Sequence, residues 1–142
     1  MRISDFIICD DIRLEQFNKI SLMGLYNDRI AIVAEKKTIK WPFVISLGLY
    51  IRIESPEEKI PSDFKFKITF LMNDKELGGL EGNGRQATSS IAIIPAKVPQ
   101  FPITEAGNLK FILSLRDNSG TEVCTHTQII KVEVTESSER LN

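Results

Sequence analysis

The chain has 142 residues, 42% hydrophobic and 26% charged, with 18 Lys plus Arg against 19 Asp plus Glu for a net charge of −1. That length and balance fit one folded unit with a core of its own, which needs no disulfide or metal staples. They disfavour nucleic-acid binding, which calls for a basic excess or stripe against phosphate. No apolar run reaches the ~18 residues of a transmembrane helix.

The start, Met1 to Asp11, is broken early by acids and does not read as a secretory signal. The expected location is the cytoplasm, and Cys9 and Cys124 are expected there as free thiols.

Apolar residues recur with a period of two, the signature of strands. In chain order, Ile3–Ile8 reads as a first strand, and Asp10–Asn18 supplies a helical turn or two at most. Ile20–Tyr26 and Arg29–Val33 are two further strands, separated by a tight turn at Asn27-Asp28. The clearest strand is Phe43–Glu54, with Phe43, Ile45, Leu47, Leu49, Ile51 and Ile53 on one face. A polar connection with Pro56 and Pro61 follows. Phe64–Met72 repeats the alternation, placing Phe64, Phe66, Ile68, Phe70 and Met72 opposite Lys65, Lys67 and Thr69. Gly78–Arg85 reads as a glycine-rich loop, Ser89–Ile94 as a strand and Pro95–Pro102 as an extended stretch. Leu109–Leu115 alternates again, and Asp117-Asn118-Ser119-Gly120 forms a hairpin turn with Gly120 at positive φ. Glu122–Val134 changes parity, which a β-bulge near Ile129-Ile130 would reconcile. Residues 1–135 form the expected domain and 136–142 a polar, flexible tail. The expected architecture is an all-β, antiparallel two-sheet sandwich of about eight strands, immunoglobulin-like or C2-like in outline.

Three stretches carry a resemblance: Cys9-Asp10, the run Asn18–Ile30 with Lys19, Ser21, Gly24, Tyr26, Asp28 and Ile30, and the Gly107–Gly120 hairpin. Together they resemble a family of small bacterial β-sandwich proteins of unknown function. The last also resembles the glycine-led hydrophobic strand and D-x-x-G turn of many immunoglobulin-like sandwiches. The resemblance implies a sandwich fold and no activity. Gly78–Gly84 and Pro95–Pro102 have no counterpart in it.

Residues able to carry chemistry are few. His126 is the only histidine. Cys124 shares its strand face but lies ~6.5–7 Å along the strand, too far for a direct thiolate–imidazole bond. One histidine and two distant cysteines make no tetrahedral zinc set. Asp10, Asp11, Glu15, Asp28, Asp63, Asp74 and Asp117 are scattered over turns without a D-x-D-x-D-G calcium loop. Gly78–Arg85 lacks the G-K-[ST] ending of a phosphate loop. Three lysines precede Trp41 within Glu35–Pro42, a charge run that leads into a strand, and Trp41 is expected in the core or at a sheet edge. Lys65 and Lys67 face outward and are expected to guard a sheet edge against pairing.

No catalytic, cofactor-binding or metal-binding residue is therefore assigned, and no enzyme activity, nucleic-acid partner or membrane partner is expected. The expected function is that of a protein-interaction or accessory module. It would meet a partner protein, or a second copy of itself, through a sheet edge or the Gly78–Arg85 and Glu35–Trp41 segments. The alternative is a small-ligand domain for a carbohydrate or a metal ion.

Overall fold

In the computed structural model, residues 1–34, 39–57, 59–60, 63–88 and 90–135 are described. Their regular structure consists of ten strands and a single 3-10 turn. The strands are β1 (Arg2–Leu14), β2 (Ile20–Tyr26), β3 (Arg29–Val33), β4 (Phe43–Glu54), β5 (Lys65–Met72), β6 (Lys75–Asn83), β7 (Arg85–Thr88), β8 (Ile91–Ile103), β9 (Gly107–Arg116) and β10 (Glu122–Thr135). One sheet has the order β2-β1-β4-β8-β7, the other β3-β10-β9-β5-β6.

The two sheets share one core because strand alternation gives each an apolar face. Leu47, Leu49, Ile51 and Ile53 of β4 are buried, as are Ile68, Phe70 and Met72 of β5 and Leu109, Phe111, Leu113 and Leu115 of β9. Each such side chain contributes ~1.5–3 kcal/mol on burial. The sheets meet through aromatic contacts. Phe70 stands edge-on to Phe101 of the opposite sheet at 5.1 Å and to its own sheet's Phe111 at 5.7 Å, and Phe6 reaches across to Phe111 at 6.0 Å.

The all-β class and the alternation of β4, β5 and β9 agree with the sequence expectation. Several details differ. There are ten strands rather than about eight. The extra two, β6 and β7, take in the stretch Gly78–Arg85 read as a glycine-rich loop and the residues on either side of it; four glycines in seven residues hide the alternation of β6, and β7 is only four residues long. Asn73 and Asp74, both at positive φ, make the two-residue turn that pairs β6 with β5. The pairing is not wholly antiparallel, since β3 runs parallel to β10. β1 continues as strand to Leu14, so only Gln16–Asn18 of the expected helical region turns. β10 keeps one parity from Cys124 to Val132, and its irregularity falls at Glu122/Cys124 rather than at Ile129-Ile130. Ile129 is instead exposed on the outer face. The proline stretch belongs to β8, because β7 pairs only with Ile91–Ile93. Beyond it one side of β8 is free, and a proline nitrogen turned that way costs no ladder bond. Lys65 and Lys67 guard no edge, for β5 lies between β9 and β6. The expected tail 136–142 and residues 35–38 lie outside the described residues.

The chain passes from one sheet to the other at Gly84, between β6 and β7. A Cβ there would stand 1.7 Å from the ring of Phe64, which is fully buried. The Gly84 N–H donates to the Phe64 carbonyl at 2.9 Å, so the backbone is fixed against that ring. Gly84→Ala is therefore expected to destabilise the fold by about 2 kcal/mol through overpacking. Urea denaturation of the two proteins checks this, and an unchanged midpoint would refute it.

Candidate interaction surface

Each sheet has two outer strands, and each outer strand offers unpaired backbone groups to another chain. β3 is five residues long and carries Arg29, which is bound to Asp28 at 3.3 Å and to Glu133 at 3.1 Å. β7 has only four residues. β6 carries Lys75, Glu76 and Glu81. β2, with the sequence Ile-Ser-Leu-Met-Gly-Leu-Tyr, has no charged residue at all. Short length and charge are the usual protections of an edge, and β2 has neither.

Exposed apolar side chains gather on the same hairpin. Met23 and Leu25 of β2 are 42% and 53% exposed, Leu14 at the end of β1 is 61% exposed, and Phe17 in the connecting turn is 87% exposed. Leu14 pairs directly with Ile20, and Glu15 N–H donates to the Lys19 carbonyl at 2.8 Å, so Phe17 sits at the hairpin tip. Phe17 adopts a left-handed backbone with φ 60° and ψ 37°. An aromatic residue in that region pays a conformational cost, and at the tip it buries almost nothing in return.

β2 is held to β1 by polar contacts. The Tyr26 hydroxyl donates to the Asp10 carboxylate, and the register sets Tyr26 against Ile8. Burial, then the hydrogen bond to Asp10 and its charge, pushes the Tyr26 phenol well above its ordinary range. Gly24, at φ 69°, leaves room for Asp10, whose Oδ2 would lie 2.4 Å from a Cβ. Cys9-Asp10 and Gly24–Tyr26 thus meet in space and serve this junction.

The other residues singled out from the sequence are dispersed. His126 lies on the inner face of β10, half-buried, with its ring 5.4 Å from Phe6 and its Nε2 3.1 Å from Gln128 Oε1. Cys124 shares that face, while Cys9 is buried in the other sheet, its thiol donating to the carbonyls of Asp11 at 3.4 Å and Gly48 at 3.6 Å. Burial raises both thiols, reinforced at Cys9 by Asp10 and Asp11, which disfavours the reactive thiolate.

The acids are spread over the surface. Asp11 binds Lys97 at 3.0 Å and Asp74 binds Lys110 at 2.9 Å. Asp117 accepts from the Ser119 hydroxyl at 2.6 Å and from the N–H groups of Ser119 and Thr121, which closes the turn and lowers its carboxyl. Asp28 pairs with Arg29, and Glu15 and Asp63 are exposed. Among the described residues, no three His, Cys, Asp or Glu side chains gather as a metal set, and no helix is long and apolar enough to cross a membrane. Lys40 and Trp41 are exposed, so of the two places expected for Trp41, core or sheet edge, the core does not hold, and residues 35–38 of that run lie outside the described residues.

No protein-family model matches the chain, and no curated protein matches it. The surface must be read from its own chemistry. Cys9-Asp10 and Asn18–Ile30 were singled out from the sequence for a resemblance, but not Leu14 or Phe17, nor β2 as an exposed edge. The signal available there was the stretch Ile20–Tyr26, apolar and free of charge.

Two expectations follow from the junction and the tip. The folded Tyr26 phenol titrates above its unfolded value of 10.0, so its contribution is full below that pH and is lost as pH rises past it. Tyr26→Phe should therefore be less stable than the parent by about 1 kcal/mol at neutral pH. The gap should shrink above pH 10, and a gap that stays constant through pH 11 on denaturant titration would count against the assignment. Phe17→Ala should leave stability within about 0.5 kcal/mol of the parent or slightly raise it, because no folded contact is lost. A clear fall in melting temperature would show that the ring packs in the monomer.

Proposed function

We propose that this protein is a non-enzymatic interaction module, a β-sandwich of immunoglobulin-like or C2-like outline acting in the cytoplasm. It receives an extended segment of a partner protein along the free edge of β2. The observation that carries this reading is the combination of an uncharged edge strand with the exposed Phe17, Leu14, Met23 and Leu25 beside it. Added strands gain affinity from main-chain hydrogen bonds and specificity from side chains at alternate positions. Exposed aromatic residues are frequent anchors of such contacts, and a strained aromatic at the tip is poised to be one. The resemblance to small bacterial sandwich proteins is compatible with this reading and adds no activity to it.

The test is affinity capture from native lysate with the parent, Phe17→Ala, Leu25→Lys and the remote control Lys131→Ala. The expected result is one protein captured in constant ratio by the parent and the control, and lost at least tenfold from both hairpin variants. Equal capture by all four would move the site away from β2. Loss of a parental dimer in the hairpin variants, seen by light scattering, would assign the edge to a second copy of the chain instead.

A further inference from the structure

A groove of about 430 Å3 lies along the β6-β5-β9 ladder, where β5 begins and β6 and β9 end. Lys65, Phe66, Lys67, Glu81, Gly82, Asn83 and Arg116 line it. The sequence places Lys65 and Lys67 two residues apart, so both project to one face, ~6.5–7 Å from each other along β5. The register then sets Arg116 of β9 directly opposite Lys65 on one side, and Asn83 of β6 opposite it on the other.

Like charges placed directly across a ladder repel, and Lys65 against Arg116 is such a pair. Lys67 is met by Glu81 at 3.8 Å. Among the described residues, neither Lys65 nor Arg116 has an ion-pair partner within bonding distance. Glu122 lies across from Arg116 on β10; its carboxylate accepts from the Ser114 hydroxyl at 2.8 Å, and the Arg116 charge also helps to hold that carboxyl low, so Arg116 is met in part and Lys65 is not. Three cations and two carboxylates leave the groove at +1, on a chain whose net charge is −1. A like-charged pair where β5 begins and β9 ends, over an open groove, offers a place for an anion between its members.

We propose that this groove binds a small organic phosphate, with the phosphate group seated between Lys65 and Arg116 and within reach of Lys67. The guanidinium fork of Arg116 matches two phosphate oxygens, and a lysine meets the third as a point charge. The groove is larger than a phosphate ion alone and falls in the ~300–1,000 Å3 range of small-molecule sites, so it has room for an organic body. Asn83 and Glu81 on the rim offer a donor and an acceptor for its hydroxyl groups. This site shares no residue with the β2 edge and stands independently of the function proposed there.

The test is an amide NMR titration of the full chain with inorganic phosphate, glycerol 3-phosphate and acetate, at ionic strength held constant with sodium chloride. The expected result is saturable shifts at Lys65–Lys67, Gly82, Asn83 and Arg116 with both phosphates, tighter for the ester, with a Kd of about 1 mM or below. Arg116→Gln and, separately, Lys65→Ala should each weaken binding at least tenfold, while Lys131→Ala binds as the parent does. Both substitutions are on exposed side chains, and amide spectra show directly that each variant is folded. Shifts that do not saturate, that acetate reproduces, or that persist in both groove variants would overturn the proposal.

Discussion

The structure depends on the contact between two apolar sheet faces. Hydrogen bonds bind each strand to its neighbours, but the two sheets are joined by side-chain burial, with Phe70 wedged edge-on between Phe101 and Phe111 at its centre. Such aromatic contacts add to the area they bury, and the loss of one of these rings would cost ~3–5 kcal/mol. The places where the chain leaves one sheet for the other are tightly specified in consequence. Gly84 lies on the Phe64 ring, and Gly107 lets the Asn73 side chain reach the Asn108 N–H at 2.8 Å and the Ala106 carbonyl at 2.9 Å.

The same layering determines what is left for partners. Two open sheets necessarily end in four outer strands. Three of them are short or charged, and the fourth, β2, is seven residues without a charge. Its attachment to β1 through Tyr26 and Asp10 presents it as a fixed rail, with Phe17 at one end. The polar outer face of the other sheet gathers Lys65, Lys67 and Arg116 by register alone. An apolar edge and a cationic groove are different recognition chemistries, and they sit on different sheets.

Much of the fold was legible in the residues. The alternation of Phe43–Glu54, Phe64–Met72 and Leu109–Leu115 reappears as buried rows of β4, β5 and β9. Asp117–Gly120 turns as its chemistry requires, with Gly120 at φ 83°. What failed were elements whose own residues carry no period. β6 is built on glycine and takes its strand form from pairing with β5, while β8 holds prolines that only a half-paired strand tolerates. The candidate surfaces were less legible still. Lys65 and Lys67 were visible as an outward pair, but Arg116 lies far along the chain and joins them only across the ladder.

By itself, the sequence determined that the chain forms strands, which faces of the strongest strands are apolar, and that histidine and cysteine chemistry is sparse. These follow from local rules: side chains alternate along a strand, and a residue type is what it is wherever it lies. Only the tertiary structure decided which strands end as edges, that β3 runs parallel to β10, that Trp41 is exposed, and that Lys65 meets Arg116. Each of those depends on strand order and register. These are set by how two sheets pack their apolar faces together, a property of pairs of segments far apart in the chain and of no segment alone.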